Sequence, residues 1–361
     1  MAAVRIADHL DHLAAVANRP RRDRGVTRAI YSYPAKFQAH LPAELIRLFS
    51  APADLVVDPY VGSGTTGLEA FLQERRFFGV DLNAFALLLA RVKTTRVARP
   101  AASAAADEAL RSRDARPILD AVDEECLGPA LAAEIARLVA GIDAATDDAV
   151  RDLLRVALIH ALKVAGRREF DDVSVAPLFR RRVERILDGL EALPRDVEPP
   201  RFRQGPCAAM PELTDGAARL VVTSPPYKDL DVEYGLLQIQ RPRLGRSKRS
   251  RAISALIGEP ARPKSFFTGG RGGSYWEGLA PSLREIRRVL APGAAAFFWT
   301  GFKTDADRER FVAELAAAAL PAQHLIAAAL SRDRVASSRS DHHRRPTGMM
   351  SRDWLIACGC D

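Results

Sequence analysis

Residues 58–66 read Asp58-Pro59-Tyr60-Val61-Gly62-Ser63-Gly64-Thr65-Thr66, a glycine turn between an apolar run and a helical pattern. The apolar run, residues 55–57, is typical of a short buried strand. A strand, a glycine turn and a helix in this order predict the ligand-binding end of an α/β sheet, because ligands bind such sheets at the carboxyl ends of the strands. Glycines suit the turn because they adopt backbone conformations closed to other residues and let a ligand approach closely.

A second apolar run, residues 77–80, ends in Asp81-Leu82-Asn83. The acid follows the glycine turn by about 20 residues, the spacing at which a carboxylate on the next strand accepts hydrogen bonds from a ribose. The glycines leave one alternative, since residues 62–67 also spell the G-x-G-x-x-G pattern of dinucleotide sites. The carboxylate of Asp58 argues against a pyrophosphate loop, and no Gly-Lys-Ser/Thr follows to make a Walker A loop.

A second motif lies far downstream, where an apolar run leads through Thr223 into Ser224-Pro225-Pro226-Tyr227. Together the two motifs resemble those of S-adenosylmethionine-dependent DNA amino-methyltransferases, which carry a D-P-F-x-G-S-G-T-T cofactor loop and an S/N/D-P-P-Y/F catalytic tetrapeptide. Residues 58–66 match with Tyr60 in place of Phe, and the tetrapeptide matches without change. The resemblance covers residues 31–95 and 205–300. It implies a class I methyltransferase fold, which is a Rossmann-like, doubly wound α/β sheet, here with a helical insertion.

The resemblance implies that S-adenosylmethionine is the cofactor. Residues 31–37 resemble the family segment that covers the methionine end of this ligand. The predicted cofactor-binding residues are Tyr33, Pro34, Lys36, Phe37, Asp58, Pro59, Tyr60, Gly62, Ser63, Gly64, Thr65, Thr66, Asp81, Leu82 and Asn83. The family often has Gly-Asp-Ala where this chain has Gly205-Pro206-Cys207-Ala208, so the contact to the adenine stays unassigned.

The chemistry of amine methylation explains the tetrapeptide. An exocyclic amine is a poor nucleophile, since its lone pair is conjugated with the ring, and in-line displacement depends on positioning. The Ser224 hydroxyl and the Pro225 carbonyl can accept the two amine hydrogens, and the two prolines stiffen the turn. Tyr227 offers a ring on which an extruded or single-stranded base can stack. The predicted catalytic residues are therefore Ser224, Pro225, Pro226 and Tyr227.

The target base is predicted from the first residue of the tetrapeptide. Within the resemblance, Ser at this position favours cytosine N4 over adenine N6. No cysteine lies close to the tetrapeptide, which argues against methylation of cytosine carbon 5. Two alternatives remain: a methyltransferase of RNA or of another nitrogen substrate, and a binding protein without catalytic activity. The intact Asp58, Gly62, Gly64, Asp81 and Ser224 argue against the second of these.

The charge of the chain indicates a polyanionic partner. The 361 residues carry a net charge of +8, with a pI near 9.6, which suits phosphate binding, although a basic solvated surface is the alternative. Residues 241–251 contain six basic side chains and are predicted to contact DNA phosphates rather than to form a solvated loop. The predicted DNA-binding residues are Arg241, Arg243, Arg246, Lys248, Arg249 and Arg251.

The chain divides into four predicted segments. Residues 1–30 form an N-terminal helix and a basic linker, 31–100 the cofactor-binding half, 101–200 a helical insertion, and 201–361 the catalytic half with a basic loop at 228–275. The insertion, the loop or both are expected to recognise the target. Two finer predictions are an N-cap at Thr146 and closing strands at 328–330 and 354–357.

The cysteines and the apolar runs bear on the compartment. The four cysteines form no plausible zinc set, and we expect no metal site. Residues 1–13 lack the apolar core of a signal peptide, and no run approaches the ~18 apolar residues that a membrane span needs. We therefore expect a reduced, cytoplasmic protein with DNA as its partner and no membrane contact. The resemblance adds a restriction or defence nuclease as a candidate partner.

Overall fold

The computed structural model describes residues 5–19, 25, 30–31, 37–165, 174–228, 237–241, 246–250, 252–258, 274–328 and 352–359. The strands are β1 (Leu55–Asp58), β2 (Arg76–Asp81), β3 (Arg201–Gln204), β4 (Ala218–Thr223), β5 (Leu237–Arg241), β6 (Arg246–Ser250), β7 (Leu290–Phe302), β8 (Ala322–Ala328) and β9 (Arg352–Gly359). The helices, after a 3-10 turn at Ile6–His9, are α1 (Leu10–Ala17), α2 (His40–Phe49), α3 (Thr65–Leu72), α4 (Ala84–Thr94), α5 (Arg99–Arg111), α6 (Ala121–Leu127), α7 (Pro129–Asp143), α8 (Asp148–Ala165), α9 (Ala176–Leu190), α10 (Ala252–Ile257), α11 (Tyr275–Val289) and α12 (Asp305–Ala317).

Seven strands form the main sheet in the order β3-β2-β1-β4-β7-β9-β8. The pairs from β3 to β7 are parallel, whereas β9 runs antiparallel to both β7 and β8. The strand order reverses between β1 and β4, which is where doubly wound sheets bind their ligands. This mixed sheet confirms the predicted class I methyltransferase fold. It also places the ends of β1, β2 and β4 and the start of β9 along one edge.

Both faces of this sheet are covered, which explains the continuous apolar runs of its strands. Val57, Val221 and Phe298 pack against α11 and α12 on one face. On the other face, Val222 and Trp299 share a core with α1 and α2. Side chains alternate between faces along a strand, so neighbouring residues of one apolar run enter different cores.

Helices α5 to α9 lie in the chain between β2 and β3 and share a third core with α4. The predicted apolar stripe of α8, from Leu153 to Leu162, is buried in this core. Arg99 at the start of α5 contacts three acids on and just after α9, which ties the two helices together. The predicted N-cap at Thr146 is wrong. The Asp147 Oδ1 accepts from the Ala149 and Val150 amides at 2.8 and 3.1 Å, so the carboxylate one residue later satisfies the free N–H groups.

The closing strands differ in part from the prediction. Strand β9 contains the predicted residues 354–357, but β8 covers 322–328 and overlaps the other prediction only at residue 328. Residues 329–330 lie outside the described part of the chain. Pairing with β9 places the strand earlier in the chain, because tertiary contacts override local β propensity.

A separate hairpin, β5–β6, follows the tetrapeptide in the chain. Its strands pair antiparallel from Leu237 with Ser250 to Arg241 with Arg246. Strand β5 lies beside α6 and α8, so the hairpin is placed against the helices that precede β3. Among the residues that the structure describes, we find no helix long and apolar enough to cross a membrane.

Candidate active site

The glycine turn after β1 is built by two glycines with different roles. Gly62 and Gly64 have φ angles of +50° and +77°, in the left-handed region that favours glycine. A Cβ on Gly62 would have Tyr60 O, at 3.9 Å, as its nearest neighbour, so this glycine leaves space at the turn. A Cβ on Gly64 would lie 2.6 Å from the Ala90 Cβ. Gly64 therefore lets α4 pack directly against the start of α3.

Asp81 joins the end of β2 to the glycine turn. Its Oδ2 accepts from the Gly62 amide at 2.7 Å, and its Oδ1 accepts from the Asn83 amide at 2.8 Å. Burial raises the pKa of Asp81 to about 6, although the hydrogen bonds from the amides act to lower it. The Leu82 amide is a third donor, and since a carboxylate offers about four acceptor positions, capacity remains for a ribose hydroxyl. The Asn83 side chain caps α4 by accepting from the Phe85 and Ala86 amides.

Asp58 joins the glycine turn to the tetrapeptide. The residue is only 2% exposed, and its Oδ1 accepts from the Tyr60 amide at 3.1 Å and from the Thr223 hydroxyl at 2.6 Å. Burial raises the pKa of Asp58 to about 6, and the nearby charge of Asp81 adds to the rise. Thr223 is the last residue of β4, directly before Ser224. The two motifs, 165 residues apart, therefore meet through one hydrogen bond.

The tetrapeptide is held by residues from three other elements. The Tyr275 hydroxyl, on α11, donates to the Pro226 carbonyl at 2.8 Å. The Tyr227 hydroxyl lies 3.5 Å from the Asp353 Oδ1 on β9. The next residue, Lys228, pairs with Asp307 of α12 at 3.0 Å. Ser224 and Tyr227 remain partly exposed, so their side chains are accessible at this edge of the sheet.

Lys93 is a buried cation beneath the glycine turn, and its role was missed from the sequence. It is 1% exposed, and its Nζ donates to the Ser63 carbonyl and, at 3.0 Å, to the Ser63 hydroxyl. The resemblance reached this residue only as part of the run 91–94. The position of this lysine on the mostly apolar helix α4 was a signal in the sequence, because a buried lysine must pair its charge.

At the position of the family's adenine contact, Cys207 is buried whereas Pro206 is exposed. Cys207 is buried, and its sulfur lies 3.0 Å from the Ser282 hydroxyl of α11. Burial raises the pKa of the Cys207 thiol, which keeps it neutral. Arg203 extends beside Gly205 and donates to the Pro206 carbonyl at 2.9 Å. The adenine contact therefore stays unassigned.

The segment before the cofactor loop is described in part. Tyr33, Pro34 and Lys36 lie outside the described residues. Phe37 is buried, and its ring stacks on Trp299 with centroids 6.4 Å apart and an interplanar angle of 23°. Thr223 pairs with Phe298, so Trp299 is the next residue along β7 beside the start of the tetrapeptide. Phe37 therefore packs close to both motifs.

Helices α8 and α9 contact the start of this segment and the residue before it. Arg182 donates to the Ile30 carbonyl at 3.4 Å, and the Lys163 ammonium lies 4.6 Å from the centroid of the Tyr31 ring. Arg182 also contacts His160. Burial, with the nearby cations, lowers the pKa of His160 to about 4, so its ring is neutral at pH 7. The helical region thus anchors the chain at the start of the predicted methionine-covering segment.

The predicted DNA-binding residues fall on or next to the hairpin. Arg241 ends β5, and Arg246, Lys248 and Arg249 lie in β6. Arg243 and Arg251 lie outside the described residues. The hairpin follows the tetrapeptide in the chain, so a cationic ribbon is joined to the catalytic edge by residues 229–236.

Comparison with known proteins finds similarity in the first part of the chain. The pattern of a DNA methylase family, of the N6/N4 amino-methyltransferase type, matches residues 14–91. The type II methyltransferase M.PvuII of Proteus hauseri is 43% identical over 53 residues, which are 15% of this chain and 16% of that protein. The type II methyltransferase M.BglI of Bacillus subtilis is 41% identical over 49 residues, 14% of each chain. The chain thus matches 16% and 14% of the length of these two relatives.

Solved structures give weaker likenesses over more of the chain. A TehB-like S-adenosylmethionine-dependent methyltransferase from Corynebacterium glutamicum is 10% identical with a TM-score of 0.34, covering 89% of this chain and 86% of that one. TrmN from Thermus thermophilus is 14% identical with a TM-score of 0.33, covering 98% and 53%. No substrate follows from similarities of this size.

The sheet order and the glycine turn define a class I methyltransferase domain. Within it, residues 14–91 match the model of a DNA methylase family of the N6/N4 type. The cofactor of that family is S-adenosylmethionine, and the residues present fit it. Gly62 leaves space at the turn, Asp81 keeps acceptor capacity for a ribose, and the hydrogen-bonded Ser63 gives the turn a fixed shape.

Proposed function

We propose that this protein transfers a methyl group from S-adenosylmethionine to the exocyclic amine of a DNA base, at cytosine N4 in preference to adenine N6. The observation that carries the proposal is the hydrogen bond between Thr223 and Asp58, which joins the cofactor loop to the tetrapeptide. A methyl donor bound at the loop and an amine bound at the tetrapeptide would meet at this edge of the sheet.

The cofactor supplies a methyl group on a sulfonium, so no covalent enzyme intermediate is needed. In such a displacement the amine nitrogen would gain the methyl carbon, the sulfonium would leave as a thioether with the electrons of the C–S bond, and the displaced amine proton would pass to solvent water. Ser224 and the Pro225 carbonyl accept the amine hydrogens and draw the nitrogen toward tetrahedral geometry. Tyr227 stacks on the base and holds the amine in line with the methyl group. This positioning raises the rate of transfer.

The preference for cytosine rests on Ser224. A serine hydroxyl is a neutral group that donates or accepts, whereas an Asp at this position would place a charge against the base. Tyr227 suits either base, since stacking tolerates any ring. The preference itself comes from the resemblance, within which Ser at the position of Ser224 is commonest in cytosine N4 enzymes and Asp or Asn in adenine N6 enzymes.

Duplex DNA is the proposed partner. A paired amine lies inside the duplex, so the target base must be flipped out before transfer. The basic composition provides sequence-independent attraction to phosphates, and a two-stranded ribbon such as β5–β6 fits the major groove. The resemblance supports two further proposals, action in the cytoplasm and a cognate restriction or defence nuclease as partner.

The test is transfer of labelled methyl from S-adenosylmethionine to duplex DNA, single-stranded DNA and RNA, followed by mass spectrometry of the nucleosides. We expect N4-methylcytosine from duplex DNA. N6-methyladenine as the product would contradict cytosine as the target base, and label in RNA alone would contradict DNA as the substrate. The double variant Ser224→Ala, Tyr227→Ala should bind the cofactor but transfer no methyl group, so equal activity in this variant would contradict the assigned chemistry.

A further inference from the structure

Tyr227 is held from two sides by residues that belong to neither motif. We infer that Tyr275 and Asp353 are positioning residues that hold Tyr227 as a preformed stacking surface for the target base. Tyr275 restrains the backbone before Tyr227, and Asp353 restrains its hydroxyl. The stacking role of Tyr227 rests on the proposed function, whereas the two contacts do not depend on it.

The backbone contact fixes the peptide plane that leads into Tyr227. The Pro226 carbonyl and the Tyr227 amide share one planar peptide group. Holding that carbonyl at 2.8 Å from the Tyr275 hydroxyl therefore sets the direction in which the Tyr227 residue leaves the turn. Burial raises the pKa of Tyr275 well above its usual range, so the hydroxyl keeps its proton and acts as the donor.

Tyr275 is itself restrained by the start of α11. Ser274 and Glu277 form a capping box, in which each side chain accepts from the backbone amide of the other residue, at 3.3 and 2.6 Å. The Trp276 ring meets the Tyr275 ring edge-on, with centroids 5.0 Å apart. A capped helix start and a packed ring give the donor a defined position.

The side-chain contact comes from the start of β9, which lies between β7 and β8 in the sheet. Asp353 is 2% exposed and pairs with Gly301 of β7 and Ala328 of β8. A carboxylate between two neighbouring strands has little freedom to move. Its 3.5 Å distance from the Tyr227 hydroxyl makes it the weaker of the two contacts, since O–H···O bonds are usually 2.5–3.0 Å.

The consequence is preorganisation of the base site. Ser224 and Pro225 bind the amine, while Tyr227 sets the plane of the base, so the reaction depends on their relative orientation. Restraining the ring before the base arrives reduces the ordering that binding must supply. The two residues sit on α11 and β9, outside the cofactor loop.

The test uses two conservative variants, Tyr275→Phe and Asp353→Asn, with 3-fluorotyrosine placed at position 227. In the unaltered protein we expect a single 19F NMR line shifted from that of free fluorotyrosine. Each variant should move this line toward the free value, the Tyr275→Phe variant more strongly. The variant Asp215→Asn removes an exposed acid that pairs with Arg288 near the other end of α11, and should leave the line in place.

Kinetics separate positioning from folding. Tyr275→Phe should lower kcat with DNA about tenfold, the equivalent of one hydrogen bond of ~1.4 kcal/mol, and leave the Kd for S-adenosylmethionine unchanged. A fluorine line unmoved in both variants, or an unchanged kcat in both, would overturn the inference. Absence of methyl transfer to DNA by the unaltered protein would overturn the proposed function instead, and the fluorine line, recorded without DNA, would still decide whether the two contacts hold Tyr227.

Discussion

The Thr223 hydroxyl donates a hydrogen bond of 2.6 Å to the Asp58 Oδ1, and this bond connects the last residues of β4 and β1. The two strands are neighbours in the sheet, so the bond crosses the point where the strand order reverses. Thr223 lies directly before the tetrapeptide, and Asp58 is the first residue of the cofactor loop. In the proposed reaction, the distance between the methyl donor and the amine therefore depends on this pair of residues, which the pairing of β1 with β4 also holds together.

Replacing Thr223 by Val should uncouple the two motifs. The variant keeps the shape of the side chain but leaves a buried carboxylate oxygen with one donor fewer, at a cost of ~1–3 kcal/mol in the free energy of unfolding. Urea unfolding measures this cost, and kcat should fall with it. Thr223→Ser retains the hydroxyl and should behave like the unaltered protein. Equal stability of the Val and Ser variants would contradict the role of the bond.

The buried acids Asp58 and Asp81 predict a pH dependence of stability. Their folded pKa values are raised to about 6 from the usual 3.8 of an aspartate, so the folded state binds more protons than the unfolded state between these values. Stability from these two groups is therefore full below about pH 4 and falls as the pH rises toward 6. Glu44 acts in the opposite sense at lower pH, since its pair with Arg47 lowers its pKa to about 2.

The variant Asp58→Asn isolates the contribution of Asp58 to the pH dependence of stability. Between pH 4 and pH 7 the free energy of unfolding of the unaltered protein should fall relative to that of Asp58→Asn, because the amide never has to ionise while buried. Urea unfolding of both proteins across this range measures the difference. Parallel pH profiles would show that Asp58 does not titrate with a raised pKa. Asp58→Asn also keeps an acceptor for Thr223, so the comparison changes charge rather than shape.

The same titration predicts a pH dependence of cofactor affinity. The ionised Asp81 carboxylate accepts hydrogen bonds only, whereas its protonated form turns one oxygen into a donor. We therefore expect the Kd for S-adenosylmethionine to decrease as the pH rises through about 6. Calorimetric titrations from pH 5 to 8 measure it, and Asp81→Asn should bind more weakly with a flatter profile. An affinity independent of pH in the unaltered protein would argue against the ribose role of Asp81.

Lys93 provides a prediction about the shape of the turn. Lys93→Met keeps the length of the side chain but removes both donors to Ser63. We expect a Kd for S-adenosylmethionine raised about tenfold, equivalent to ~1.4 kcal/mol. Arg91→Met is the matched control, because Arg91 lies on the same helix in an exposed pair with Asp152, and such pairs contribute about 0–1 kcal/mol. Equal effects of the two variants would contradict a specific role for Lys93.

The local parts of the site could be predicted from the sequence, and the long-range parts could not. The turn at 58–66 and Asp81 follow from apolar runs and glycines within one βαβ unit, so their placement needed no tertiary information. Tyr275 and Asp353 lie 49 and 126 residues from their partners in the tetrapeptide. Their contacts depend on the order of strands in the sheet, which local patterns do not contain. The Thr223 contact was missed for the same reason, although both of its residues adjoin the motifs.

Gly64 allows steric packing and backbone strain to be measured separately. Ala at position 64 would combine the strain of a φ of +77° with a Cβ contact of 2.6 Å to Ala90. Gly258 has a φ of +72° with nothing within 4 Å of a Cβ, so Gly258→Ala measures the strain alone. We expect a loss of ~1–2 kcal/mol in the free energy of unfolding for Gly258→Ala and roughly 2–5 kcal/mol for Gly64→Ala, because overpacking adds to the strain. Adding Ala90→Gly to Gly64→Ala should recover the packing part but not the strain. If the double variant recovers nothing, the close approach of α4 to the cofactor loop is not what requires glycine at position 64.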